Sequence, residues 1–333
     1  MKIKYLLVVL LALWISLQSA NAQNVYADIK DYKVFYGIIA RNEQNLLVTR
    51  TFENAGKRYL LLVNPQTLET EIIKSDAFDV EPMSQDRVRE FFKNTPYILA
   101  IKKAEEQSAG LQNAGIIKGS SQEQGITLTT DLCPSHRPLD RVAFTETIKA
   151  FEKVETPVPV AISVSGLWMT HHAADLKWLK QMQTLHQLSI TWVNHSYYHR
   201  FDPKLPLKKN FLLEPGTDIN FEVLETEKAM LKNGVLPSVF FRFPGLVSSR
   251  ELVFKITGFG LIPIGSDAWL AKGQKPKDGS LVLIHVNGNE PVGVNDFIRL
   301  LQSKNIAIAK KQWILYDLPG TIVNKFKNKG LVQ

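Results

Sequence analysis

The chain has one cysteine, Cys133, in 333 residues. A lone thiol cannot close an internal disulfide, so the staple of many small exported domains is excluded and the core must rest on packing. Long hydrophobic runs are as scarce. Beyond the first two dozen residues, no stretch approaches the roughly 20 apolar residues that cross a bilayer as a helix. Charge of one sign is not concentrated either. Lys208-Lys209 and Lys310-Lys311 are pairs rather than tracts, and the net charge of +8 is spread along the chain. No nucleic acid partner is therefore expected, because such a partner calls for a clustered basic patch. No internal repeat is present.

What is there begins with an address. Met1-Lys2-Ile3-Lys4 is basic, Leu6 to Leu17 is apolar, and Ser19-Ala20-Asn21-Ala22 carries the small-x-small pattern of a cleavage site. Together these predict a secretory signal peptide over residues 1–22, cut after Ala22. The apolar run is too short for a membrane anchor, and no Cys follows it to take a lipid. The protein is expected to be exported, periplasmic or secreted, with no integral membrane segment after cleavage. Loss of Lys2 and Lys4 lowers the net charge by two, to +6. With 45% apolar and 22% charged residues the chain can bury an ordinary core. Its length suits one large domain and a small one.

Residues 23–103 read as a small α+β module. Tyr36–Ile39, Leu46–Thr51, Arg58–Val63 and Glu69–Lys74 have strand character, and Asn54-Ala55-Gly56-Lys57 is a hairpin turn. Ser84-Gln85-Asp86-Arg87 starts a helix that places Val88, Phe91 and Phe92 at helical spacing. No catalytic constellation falls here, and the module's role stays open between binding, docking and packing. Residues 104–124, rich in Gln, Ser, Gly and Ala, read as a linker.

Over residues 125–325 the texture changes to α/β. Strands at Ile126–Thr129, Val158–Val164, Ser189–Val193, Val239–Arg242, Leu261–Ile264 and Leu281–Val286 alternate with helices. The helices are expected at Phe144–Glu152, Ala173–Leu185, Ile219–Leu231 and Val294–Gln302. Repeated strand-then-helix order implies a parallel sheet, and this many units implies a distorted (β/α) barrel. Catalytic residues of such folds sit where strands end.

Five strand ends carry reactive side chains: Asp131, then His195 and His199, then Arg242, then Asp267 with Trp269, then His285. Each alone has an ordinary reading. Asp131 suits a turn, Arg242 a surface ion pair, Asp267 and Trp269 a turn with core packing, and His285 a core position. Two imidazoles four apart share one face of a helical turn and suit a divalent metal. The adjacent His171-His172 diverge, and a helix N-terminus explains them better. The common placement at strand ends is what separates the five from chance.

In this order the segments resemble the motifs of the polysaccharide deacetylase family, also called the NodB-homology domain. Thr129-Thr130-Asp131-Leu132-Cys133-Pro134 is similar to the family's Thr-Phe-Asp-Asp-Gly-Pro, and His195-Ser196-Tyr197-Tyr198-His199 matches its His-Ser/Thr-x-x-His. Arg242-Phe243-Pro244-Gly245 resembles Arg-x-Pro-Tyr, Asp267 with Trp269 the fourth motif, and Leu283-Ile284-His285 the Leu-x-His of the fifth. The resemblance implies a metal-dependent hydrolase that removes acetyl groups, N-acetyl above all, from a polysaccharide or cell-wall glycan. It implies one divalent ion, zinc in the first instance, on His195 and His199. Asp131 would be the general base, oriented by Arg242, and His285 the general acid, its pKa raised by Asp267. Gly245 would offer a backbone N–H to the oxyanion and Trp269 an apolar wall for the acetyl methyl. A carbohydrate-binding pseudoenzyme and an acetyl-ester or other amide hydrolase are the alternatives on this fold.

Two positions depart from the pattern. The second Asp of the first motif, a metal ligand in most of the family, is Leu132, so either Asp131 doubles as a ligand, His136 or Asp140 substitutes, or metal binding is weakened or lost. Cys133 stands where the family has Gly and reads as a buried residue before it reads as a thiolate ligand. The aromatic after Pro244 is Gly245, which implies an open sugar-binding face.

Overall fold

The structure, a computed structural model, describes residues 25–327. The expected signal peptide lies outside them. The chain opens with an antiparallel sheet of β1 (Ile29–Arg41), β2 (Gln44–Asn54), β3 (Lys57–Val63), β4 (Thr70–Lys74) and β5 (Glu81–Pro82), in the order β4-β3-β2-β1-β5. Asn54 pairs with Lys57 across the β2–β3 hairpin, and Ala55 and Gly56 both take positive φ, 51° and 71°. That pair of left-handed residues gives the turn whose twist matches its strands. Helix α1 (Gln85–Phe91) is capped as expected, Ser84 Oγ accepting from Arg87 N–H, and α2 (Pro96–Glu106) comes next.

This module packs against the rest of the chain. Arg50 on β2 and Glu227 are both fully buried and joined by two hydrogen bonds of 2.8 and 2.9 Å. Tyr32 donates to the same carboxylate at 2.8 Å, and Arg50 also reaches the Phe259 carbonyl at 2.6 Å. Tyr36 and Tyr97 donate to the carbonyls of Gly258 and Gly260.

The larger unit runs β6 (Gly125–Leu132), α3 (Arg141–Phe151), β7 (Val158–Val164), α4 (Gly166–His171), α5 (Ala173–Thr184), β8 (Leu188–Asn194), α6 (Ile219–Lys232), β9 (Phe240–Phe241) and α7 (Arg250–Gly258). It continues with β10 (Ile262–Pro263), β11 (Ala268–Trp269), β12 (Ser280–Ile284), α8 (Pro291–Ala309), β13 (Ile314–Leu315) and α9 (Leu318–Lys327). Strands pair in the order β10-β9-β8-β7-β6-β12-β11, every neighbour parallel, and β13 pairs with the start of β6. The two edge strands, β10 and β11, are consecutive in the chain with only residues 264–267 between them. The sheet must therefore curl back on itself, which makes the expected distorted (β/α) barrel.

Alternation along β6 sets the two faces. Ile126, Leu128 and Leu132 join the apolar layer under the helices, with Phe144, Leu176 and Phe297. Thr129 and Asp131 point the other way, into the barrel, where both meet Arg242.

The stretch 104–124 is not a free linker. Helix α2 runs to Glu106, and the chain then lies along the gap between β10 and β12. Ile116 N–H donates to the Pro263 carbonyl and its own carbonyl accepts from Gly265 N–H, each at 3.0 Å, while Lys118 bridges to Ser280. The small residues that suggested flexibility serve close approach. At Gly115, whose φ is 93°, a Cβ would lie 2.4 Å from the Pro263 oxygen.

Candidate active site

Four of the expected side chains converge at one end of the barrel. Asp131 is the penultimate residue of β6, while His195, Arg242 and His285 each come directly after the end of β8, β9 or β12. In a parallel sheet those ends lie on one rim. Arg242, wholly buried, donates through Nη1 to Asp131 Oδ1 at 3.0 Å and to Thr129 Oγ1 at 2.7 Å, and through Nη2 to the Gly265 carbonyl at 2.9 Å. Asp131 Oδ1 is thereby pinned. Its Oδ2 faces His195 Nε2 at 3.7 Å and His285 Nε2 at 4.0 Å.

His195 Nδ1 lies 2.8 Å from the Arg242 carbonyl. A carbonyl only accepts, so Nδ1 carries the hydrogen and Nε2 of the neutral ring keeps its lone pair. That Nε2 is 3.6 Å from Cys133 Sγ. His199 comes alongside, its ring centroid 4.8 Å from that of His195. The pair is not brought together by a helical turn, as the spacing implied. Residues 195–199 form a loop in which Ser196 and His199 take positive φ, 66° and 49°. Asn194 Oδ1 accepts from Ser196 N–H, and buried Glu222 accepts from the N–H groups of Tyr197 and Tyr198. Those bonds hold a backbone that local propensity would not choose.

The charges tune one another. Burial works against the Asp131 carboxylate, but Arg242, His195 and His285 hold its pKa below the usual range. Burial would push the Cys133 thiol up, and the neighbouring His199, His195 and His285 instead hold it well below the usual thiol value. His285, despite burial, is raised to about 10 by Cys133, Glu290 and Asp131. Its Nδ1 lies 2.7 Å from Glu290 Oε2, an ion-pair contact.

Glu290 takes the position in which the motif order had placed Asp267. Asp267 sits at the start of β11, where Oδ2 accepts from Ser280 and Oδ1 from Leu281 N–H at 3.0 Å. It ties β11 to β12, and burial raises its pKa. Trp269 does reach the site: its ring lies 5.5 Å from the His285 ring and its Nε1 donates to Glu290 Oε2 at 2.8 Å. Glu290 had a weak signal in the sequence, a carboxylate five residues past His285 and just before Pro291 at the start of α8.

Gly245 has φ 59° within a short turn, and a Cβ there would lie 2.5 Å from the ring of Phe211. The space left by the missing aromatic is therefore occupied. Phe211 packs edge-on against His199 and stacks on the half-exposed Phe201. Nothing in the sequence around Phe211 marks it, because its approach depends on the fold of residues 200–218. Of the substitutes for the absent Asp ligand, His136 is exposed, and Asp140 caps α3 by accepting from Val142 N–H. His172, outside the site, stands at the N-cap position of α5 without a side-chain capping bond, and its Nε2 contacts the Ser135 carbonyl at 2.8 Å.

The arrangement fits a cation. Cys133, His195 and His199 place one donor atom each within 4.8 Å of one another. His199 Nε2 is buried without a hydrogen-bond partner, an arrangement that costs free energy unless something accepts the lone pair or proton.

Comparison with known proteins adds two kinds of likeness. The family described as the RP012 protein N-terminal domain matches residues 30–98, the β-rich module. Among solved structures, a family 4 carbohydrate esterase from Bacillus anthracis is 14% identical, with a TM-score of 0.44 over 67% of this chain and 91% of its own. Bacillus subtilis PdaA, a family 4 carbohydrate esterase, is 14% identical with a TM-score of 0.43, over 79% of this chain and 94% of its own. A CE4 family pseudoenzyme from Bacillus anthracis is 15% identical with a TM-score of 0.42, over 62% and 68%.

Proposed function

We propose that this chain is an exported, metal-dependent hydrolase that removes acetyl groups, chiefly N-acetyl, from a polysaccharide or cell-wall glycan. The observation that carries the reading is the shared rim: a pinned carboxylate, Asp131, and a carboxylate-backed imidazole, His285, stand 4.0 Å apart beside two further imidazoles. Amide hydrolysis needs a base for the incoming water and an acid for the leaving nitrogen. A divalent ion held by His195 and His199 would supply Lewis acidity for the acyl group and the water.

The chain's own residues divide the proton work. Arg242 occupies Asp131 Oδ1 and keeps the carboxylate ionised, so Oδ2 is the atom that takes a proton from water. Glu290 and Asp131 favour the protonated His285 ring, whose Nε2–H is available to the departing amine. Trp269 and Phe211 give the site apolar walls, and Gly245 N–H is the donor assigned to the developing oxyanion. Acetate release from a panel of acetylated glycans, with and without added divalent metal, tests the proposal. The expected result is metal-stimulated release that His285→Ala reduces by at least ~10²-fold. Binding of the same glycans with no acetate released under any metal would favour the pseudoenzyme instead.

A further inference from the structure

The sequence motif has lost the carboxylate ligand, and the structure offers a replacement one residue further along the chain. In β6 the residue after Asp131 turns its side chain into the helix-facing apolar layer, where Leu132 is wholly buried. The next residue returns to the barrel interior, and there Cys133 Sγ comes within 3.6 Å of His195 Nε2. We propose that Cys133, His195 and His199 form a three-ligand site for a thiolate-preferring divalent ion, with Cys133 as its only anionic ligand. This rests on the reading of the site as that of a metal-dependent hydrolase and specifies which metals it takes.

Three observations support it. The three donor atoms lie within 4.8 Å of one another. His195 Nδ1 is engaged by the Arg242 carbonyl, which leaves Nε2, 3.6 Å from the sulfur, as the ring atom placed to ligate. That engagement is the outer-shell anchoring that fixes a ligating imidazole. His199 Nε2 is buried and lacks a partner. Three protein ligands with a fourth position open is the pattern of catalytic zinc sites.

Charge is conserved in the exchange. One thiolate with two neutral imidazoles carries the same single negative charge as one carboxylate with two imidazoles. Softness is not conserved. Sulfur favours zinc, cobalt and cadmium over the hard ions magnesium, calcium and manganese, which prefer oxygen. Asp131 then stays outside the ligand set, with Oδ1 on Arg242 and Oδ2 free to act as a base.

Cobalt substitution provides the test. The purified full chain is stripped with a chelator, loaded with Co²⁺ and read by absorption, with Zn²⁺ competition giving affinity. The expected result is one bound ion and a near-ultraviolet thiolate-to-cobalt charge-transfer band. Cys133→Ser should abolish the band and weaken zinc binding by at least ~10-fold. Cys133→Asp should restore binding without the band and shift preference toward manganese. If Cys133→Ser does not fold, X-ray absorption on the wild-type zinc form decides, since a sulfur at about 2.3 Å is required. Stoichiometric metal without a band or a sulfur shell would overturn the thiolate ligand and leave the hydrolase reading standing. No bound metal in the wild type would defeat both.

Discussion

Glu290→Gln isolates the charge behind His285. Glutamine keeps an acceptor for Trp269 Nε1, which Glu290 Oε2 now receives at 2.8 Å, so the substitution removes charge and little else. Glu290 Oε2 lies 2.7 Å from His285 Nδ1, with 29% of its side chain exposed. An opposite charge at such range typically moves a pKa by roughly 1–3 units, and partial exposure argues for the lower half. We take about 1–2 units as Glu290's share, with Cys133 and Asp131 supplying the rest of the rise from 6.5 to about 10.

A histidine whose folded pKa is raised contributes stability that is fully present below its ordinary pKa and lost as pH rises through the folded value. Glu290→Gln should therefore cost about 1.4–2.7 kcal/mol near pH 6. The difference should fade as pH rises toward 10, where wild-type His285 also loses its proton. It should fade in strong acid as well, once Glu290 protonates at its lowered pKa. Urea unfolding at several pH values, with the His285 ring resonance followed by NMR, measures both quantities. In turnover, the alkaline limb of kcat/KM should move down by the same 1–2 units. An unmoved ring pKa together with an unmoved alkaline limb would refute the assignment of Glu290 as the partner of the acid.

The other expectations are simpler. Asp131→Asn should cut acetate release by at least ~10²-fold, and it should also cost about 3 kcal/mol, because Arg242 stays buried without its counter-charge. Since the Asp131 pKa is lowered, its contribution is present above the ordinary carboxylate value and lost as pH falls through the lowered one. Unfolding curves of variant and wild type should therefore converge in acid. At the module interface, Arg50→Met or Glu227→Leu alone should each cost about 3–5 kcal/mol, while the double variant should recover most of that. A double variant no better than either single one would show that the bonds from Tyr32 and to Phe259, and not the charge pair, hold the module.

The barrel was legible because each strand-helix unit announces itself locally. Val158–Val164 is a strand at the expected bounds, and Ile219 begins a helix capped by Asp218 Oδ1. The hairpin was legible from Asn54 and Gly56, although the left-handed pair falls on Ala55 and Gly56 and only Gly56 suits it. What misled was composition without context. The Gly- and Ser-rich stretch after α2 has the texture of a linker, yet its small side chains let the backbone lie against Pro263 and Ser280. The site divides similarly. Asp131, His195, Arg242 and His285 are legible because each stands at a strand end. The contacts that tune them come from elsewhere in the chain, Glu290 from the N-cap of α8, and Phe211 from a loop with positive φ. No spacing rule reaches them.

Leu132 is where sequence and structure give opposite advice. Aligned to the motif, Leu132→Asp restores a missing ligand and should tighten metal binding. Read from the strand, the same change puts a carboxylate among Ile126, Leu128, Ile162 and Val164, on the face away from Asp131. The position has no exposure, and its carbonyl already accepts from Ser165 N–H and Oγ. A carboxylate there must protonate or disrupt the packing, with loss of the Leu132 contacts besides, for a total of roughly 3–5 kcal/mol. We expect Leu132→Asp to lower the unfolding midpoint, to leave zinc affinity unimproved, and to release no more acetate than wild type. Cys133→Asp places its carboxylate on the interior face and is the variant that should carry metal. Calorimetric titration of both with Zn²⁺ and Mn²⁺ compares them directly. Tighter metal binding by Leu132→Asp than by Cys133→Asp would mean that the chain past Asp131 turns differently from the strand seen here, and the thiolate site would lose its geometric basis.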